Sequence, residues 1–143
     1  MFITDAIMRD NNLNEALRWL RQAKADLETA KDTSVAGHYE WACFQSQQAA
    51  EKALKAFLYS RRKRNLFTHS VTELAALAGR IDVKFTKMDF EARYLDAYYI
   101  PTRYPNGLPG GIIPSDFYTK VEADKCVKAS EKIMRLAEAS IKK

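Results

Sequence analysis

Apolar side chains recur at three- and four-residue spacing through most of this chain, a period that predicts helices. Leu13, Ala16, Leu17, Leu20, Ala23, Leu27 and Ala30 form one such stripe and place a first helix over about 12–33, where strand-like alternation is absent. A second helix is expected over about 37–60, with Tyr39, Cys43, Ala50, Leu54 and Phe57 on one face. A third begins after Ser70 with Val71, Leu74, Leu77 and Ala78, and a fourth covers about 87–99 through Met88, Ala92, Leu95 and Tyr98 or Tyr99. The last spans about 119–141 and carries Ala123, Cys126, Val127, Ile133, Met134, Ala137 and Ile141. Helix starts are marked by Asn12-x-x-Glu15, Ser70-x-x-Glu73 and Thr119-x-x-Glu122, with Thr86-x-x-Asp89 a weaker version. In each, a side-chain oxygen can accept from orphan backbone N–H groups while the carboxylate three residues on reaches back. The expected fold is all-α, an antiparallel up-and-down bundle of four to five helices, in a single domain over 1–143 with its core at about 12–141.

The second helix does not divide cleanly into two faces. At about 100 degrees per residue, Tyr39, Cys43, Ser46, Ala50, Ala53 and Phe57 share a stripe, while Trp41 and Phe44 point well away from it. Either this is the central helix of the bundle, or Trp41 and Phe44 meet another subunit. Alanines at 42, 49, 50, 53 and 56 allow close helix approach. Gln47, at the edge of the main stripe, is expected to bridge helices through its amide, with ligand contact as the other use of a buried amide.

All four prolines and three of the five glycines fall in one stretch, Pro101 to Pro114, reading PTRYPNGLPGGIIP. Helical periodicity stops there, and Tyr98, Tyr99, Arg103 and Tyr104 lie beside it. A loop of that length in a small domain is usually functional or disordered, and its aromatic and arginine content argues against disorder. Asn106, Gly107, Gly110 and Gly111 suit turns with positive φ but do not form a phosphate loop of the GxxxxGK type.

Charge adds a second locality. The net charge is +5. Residues 1–60 carry seven basic and eight acidic side chains and residues 65–97 carry four and five, so the excess comes from Arg61, Arg62, Lys63, Arg64 and from residues 98–143. Such a run can attract phosphate by Coulomb steering, or simply complement the dipole of a helix end. Residues 1–10 lack the basic start and long apolar run of a signal peptide, and no stretch approaches the roughly 18 apolar residues of a membrane helix. A cytoplasmic protein is expected, with Cys43 and Cys126 as reduced core thiols. With only His38 and His69 beside them, the cysteines show no metal-ligand spacing; no metal and no cofactor is expected.

Ala23, Asp26, Leu27, Ala30, then Gly37, Tyr39, Ala42, Cys43, Phe44, Gln47, Gln48, Ala49, Ala50, Glu51, Lys52, Ala53, Leu54, Lys55, then His69, Ser70, Leu74, and finally Tyr99, Pro101, Thr102, Arg103, Tyr104 and Pro105 occur here in a specific order. In that order the chain resembles the HEPN family, the higher eukaryotes and prokaryotes nucleotide-binding domain, over about 12–141. The resemblance implies a helical bundle, often dimeric, and frequently one half of a toxin–antitoxin or nucleotide-handling pair with a small nucleotidyltransferase. It also implies, for toxin members, a metal-independent ribonuclease site. There an arginine is followed four to six residues later by histidine, paired across a dimer.

Arg103 occupies the corresponding position, and no histidine follows it within Tyr104 to Gly110. An arginine can stabilise phosphoryl charge, but it cannot readily supply the proton transfers that histidine supplies. Arg64-x4-His69 and Arg62-x6-His69 do show the spacing, although both precede the third helix, and there His69 is expected to order the helix start. Arg103 itself, with prolines at 101 and 105, offers a restrained planar fork for phosphate, flanked by Tyr99 and Tyr104 for stacking. The structural alternative is that Arg103 pairs with Asp96 or with a helix C-terminal carbonyl. The expected function is therefore a nucleotide- or RNA-phosphate-binding module working as a homodimer with a nucleotidyltransferase partner. Its site draws on Arg103, Tyr99, Tyr104 and the Arg61, Arg62, Lys63, Arg64 run. The alternative is a metal-independent ribonuclease of atypical site, using Arg103, or else Arg64 and His69. If exposed, Tyr104 could also accept a nucleotidyl group from the partner.

Overall fold

The computed structural model describes residues 3–141, with side chains from residue 11 onward, and contains helices and turns with no strand among the described residues. Helix α1 spans Ile3–Val35 and turns through residues 36–38 into α2, Tyr39–Ser60. The predicted start at Asn12 is corrected: the helix is already running at Ile3, because no proline or glycine interrupts residues 3–11. Asn12 is a buried side chain in mid-helix, and its Oδ1 accepts from Arg64 instead of capping.

Helix α2 is the axis of the bundle, packing mainly on α1 and α6 (Lys120–Ile141) and in part on α3 (Val71–Ile81), α4 (Asp89–Asp96) and α5 (Pro114–Phe117). Contact on several sides makes α2 the central helix and half-buries Phe44, while Trp41 stays 47% exposed. Ala42, Ala49, Ala50, Ala53 and Ala56 are fully buried, and their small side chains let α1 and α6 approach. Leu54, Phe57 and Leu58 supply the volume, with Phe57 against Phe85 at 4.4 Å between ring centroids.

Helix α3 (Val71–Ile81) leads through a 3-10 segment, Val83–Met88, into α4 (Asp89–Asp96). Where the sequence pattern predicts one helix over 87–99, the α-helical part ends at Asp96. Ile100 precedes Pro101 and is disfavoured in helical conformation, so the chain tightens into turns, Tyr98 N–H to Leu95 O (3.0 Å) and Tyr99 N–H to Asp96 O (3.2 Å). Thr86 does not cap α4, since its hydroxyl donates back to Val83 O.

The two stronger remaining signals both cap, one of them in half. Ser70 Oγ accepts from Glu73 N–H, but Ser70 N–H goes to Thr68 Oγ1 and not to the Glu73 carboxylate; Thr119 and Glu122 exchange bonds at the start of α6, Lys120–Ile141. Before α6 the proline stretch adds the one-turn helix α5, Pro114–Phe117, to the five predicted. Cys43 and Cys126 are free, buried thiols, and contact with Cys43 together with burial pushes the Cys126 thiol far up.

Candidate functional site

The first half of the proline stretch folds on itself before it meets anything else. Thr102, almost fully buried, donates its hydroxyl to Tyr98 O (2.6 Å), Arg103 N–H reaches Ile100 O (3.1 Å), and Arg103 Nε donates to Tyr99 O (2.9 Å). Of the loop glycines, Gly110 takes a positive φ of 61°. Gly107 serves close approach instead, for a Cβ there would lie 3.1 Å from Pro101 Cα.

Arg103 is therefore tied to the carbonyl of Tyr99, in the turns that follow α4, and neither to Asp96 nor to a carbonyl of the helix itself. Its guanidinium carbon stands 4.5 Å from the centre of the Phe44 ring, 4.6 Å from Tyr99 and 5.2 Å from Tyr104. Three aromatic faces hold the cation by its quadrupole attraction. Among the described residues no hydrogen bond or ion pair is made by Nη1 or Nη2, so the outer edge of the fork remains available.

The wall behind it extends further. Trp41 meets Phe44 edge-on at 6.1 Å, Phe44 leans on Tyr99 at 6.0 Å, and His69 stacks on Tyr99 at 5.8 Å and 18°. Tyr99 thus bridges His69 and Arg103. Trp41 is 47% exposed and Tyr104 51%, leaving flat apolar surface at both ends.

Beneath this surface lies a buried polar layer. The Gln47 amide donates to His69 O (2.9 Å) and to Asp96 Oδ1 (3.2 Å) and accepts from Gln48 (2.8 Å), which makes it the interhelical bridge that its position suggested. Asp96 also accepts from Ser70 Oγ, Val71 N–H and Thr72 N–H, each at 2.9 Å, so α4 caps α3. Burial opposes ionisation of Asp96, but the bonds from Thr72, Val71 and Gln47 outweigh it and hold the carboxyl below its ordinary value. The Glu51 carboxylate pairs with Lys55 at 3.0 Å, both nearly buried, and lies 3.4 Å from His69 Nδ1.

The structure does not bring the Arg61 to Arg64 run to this place. Arg61 follows the end of α2, about 25 Å along the helix from Phe44 at 1.5 Å per residue. There Arg61 donates to Ser140 O (3.0 Å) and covers Phe57, while Arg64 bonds Lys63 O and Asn12 and covers Tyr59. Arg62 and Lys63 are exposed. Arg64 makes no described contact with His69. Phe44, Trp41 and Glu51 are site neighbours that sequence reasoning passed over. Their signal was the second face of α2, which required burial without naming the partner.

Among the described residues no group of three or more His, Cys, Asp or Glu side chains could hold a metal ion, and no helix is long and apolar enough to cross a membrane.

Comparison with known proteins places this geometry. Human sacsin is 29% identical over 132 residues, covering 90% of this chain but 3% of sacsin, so the chain spans a small part of that relative. Putative toxin MJ1304 of Methanocaldococcus jannaschii is 27% identical over 139 residues, covering 92% of this chain and 91% of that protein. The crystal structure of TT1696 from Thermus thermophilus superposes with a TM-score of 0.81 at 39% identity, over 89% of this chain and 98% of the other. That of ST0689, an archaeal HEPN homologue, gives 0.72 at 34% identity with the same coverage. The HEPN domain family matches residues 16–140, and with whole-length structural relatives on the same bundle the chain belongs to that family.

Proposed function

We propose that this HEPN domain is a nucleotide- or RNA-phosphate-binding module of the cytoplasm, working as a homodimer beside a small nucleotidyltransferase in a toxin–antitoxin or nucleotide-handling pair. One observation carries the binding part: the Arg103 guanidinium is fixed by Tyr99 O and three rings while its Nη edge stays free. A fork immobilised in advance loses little entropy when it meets a phosphate. The similarity to a protein named as a toxin supports the pairing. Isothermal titration with ATP and with a short RNA tests the site. Arg103→Ala should weaken binding by about 10- to 100-fold, the span of one charged hydrogen-bonding group. Arg103→Lys should recover only part, since an ammonium keeps the charge but loses the fork and the stacking. Equal binding by all three proteins would remove Arg103 from the site.

A second reading, the metal-independent ribonuclease, is favoured by one contact: His69 stacks on the same Tyr99 that flanks Arg103, with its side chain 59% exposed and Glu51 behind it. The acid–base group missing after Arg103 in sequence would then come from the α2–α3 connection. His69 would take the proton of the 2′-hydroxyl as it bonds to phosphorus, and Arg103 would stabilise the phosphoryl charge; the P–O5′ bond would break, the 5′-oxygen taking a proton from water and His69 releasing its own to solvent, to give a 2′,3′-cyclic phosphate and a 5′-hydroxyl. Incubation with RNA in EDTA decides between the two readings. The ribonuclease reading expects cleavage that falls by about 100-fold or more in both His69→Ala and Arg103→Ala; the binding reading expects none.

A further inference from the structure

The face of the bundle between α4 and α6 carries a groove of about 360 Å³, none of whose lining residues belongs to the Arg103 cage. Two aromatic rings line it. Phe90, 74% exposed, stacks on Tyr94 at 6.4 Å with planes 21° apart, and behind Tyr94 tilted ring contacts run to Tyr98 (5.2 Å) and the buried Tyr118 (5.7 Å). A large ring left open on one face and backed by a second is a stacking platform rather than a scattered surface apolar residue.

Its rim is cationic. Lys125, Lys128 and Lys132 follow one another along one face of α6 and are all exposed. They span about 10 Å, longer than a single phosphate group covers. The surrounding carboxylates are committed elsewhere: Asp89 to Arg93 (2.8 Å), Asp124 to Lys120 (2.7 Å), Glu131 to Lys31 (3.4 Å) and Arg135 (3.6 Å), and Glu122 to Thr119 and Tyr98. Glu91 alone enters the groove, where its Oε2 stands 3.7 Å from Lys132 and its Oε1 is buried without a hydrogen-bond partner. Lys125 and Lys128 therefore keep uncompensated charge beside the groove.

From this combination we infer that the α4–α6 groove is a second ligand surface, which binds single-stranded nucleic acid by stacking a base on Phe90 and placing successive phosphates along Lys125, Lys128 and Lys132. The exposed ring takes the base face and the ammonium groups take the backbone. An acidic peptide would answer the lysines but brings no flat base for the open ring.

Fluorescence anisotropy of the full chain with a labelled single-stranded RNA of about 12 nucleotides, within the usual site size of such grooves, tests the assignment at several salt concentrations. Phe90→Ala should weaken binding about tenfold, the effect of losing one stacked base, while Phe90→Tyr retains affinity. Replacing the three lysines by glutamine should lower the slope of log K against log salt by about two, near 0.7 per phosphate contact on a single strand. Arg103→Ala should leave both effects in place, so that loss of the Arg103 site and loss of this groove are told apart. The inference is overturned if Phe90→Ala binds like the parent, if the slope survives removal of the lysines, or if oligoglutamate competes as well as unlabelled RNA.

Discussion

Asp96 receives four hydrogen bonds from three elements: Gln47 on α2, Ser70 before α3, and the first two backbone N–H groups of α3. A carboxylate serves there because only an acceptor with several lone pairs can satisfy that many donors. Asp96→Asn replaces two acceptor sites by an NH₂ that faces donors, and should cost about 2 kcal/mol in urea denaturation at pH 7. Because the folded carboxyl sits below its unfolded pKa, its contribution is complete above that unfolded value and disappears as pH falls through the folded one. The gap between parent and variant should accordingly narrow as pH falls below about 4, close once pH is under the folded carboxyl's value, and stay constant from about pH 6 to 8. A gap that persisted in acid would show that shape, not charge, sets the cost. None of this was legible in the sequence, where Asp96 was only a candidate partner for Arg103. The competition between Arg103 and four neutral donors is decided by position, and that is a tertiary fact. Gln47 was legible, since a lone amide at the margin of an apolar stripe has few options besides bridging.

At the scale of elements, helices that start at a Ser or Thr cap were readable from sequence, and interruptions were not. Ser70 and Thr119 cap as their spacing requires, whereas Asn12 has the same pattern inside a continuing helix. A capping pair is a permission to start, and only a breaker upstream makes it a start. The proline loop shows the converse. Its glycines read as turn formers, yet Gly107 is needed because Pro101 lies against it. Gly107→Ala should push the 105–107 turn away from Pro101 and loosen the carbonyl grip on Arg103. Nucleotide affinity should then fall several-fold while the global melting temperature moves by under about 2 °C, consistent with a change of a few tenths of a kcal/mol in a loop. Calorimetry and titration on the same sample check both halves, and unchanged affinity would detach the loop from the site.

For the whole molecule, the bundle and its order of helices followed from periodicity, because one helical domain of this size has few ways to bury so many stripes. The site was half visible: Arg103, Tyr99 and Tyr104 lie close in sequence, and the structure adds Phe44 from α2 and His69 from the α2–α3 connection. Contacts between residues so far apart along the chain leave no periodic trace. The distribution of burial also sets an order of opening. Amides in the middle of α2, enclosed by α1 and α6, should exchange hydrogen only through global unfolding, with rates that rise steeply in dilute urea. Those of residues 105–113, exposed for the most part, should exchange through local opening that urea barely changes. Mass-resolved exchange at two urea concentrations measures the difference, and urea-sensitive exchange in the loop would make it part of the cooperative core.

The bonds that aim Arg103 all lie between Tyr98 and Arg103, closing within one tight knot of chain. Of what stands around the arginine, Tyr99 and Tyr104 belong to the same stretch, while Phe44 comes from α2 and His69, behind Tyr99, from the α2–α3 connection. Presentation and choice of ligand are thus encoded in different parts of the polypeptide, and can change independently. A lineage could exchange the residues at 44 and 69, and with them the chemistry performed, while inheriting the same pointed cation. The arrangement separates a fixed tool from its replaceable surroundings, so relatives with the same loop need not share a reaction.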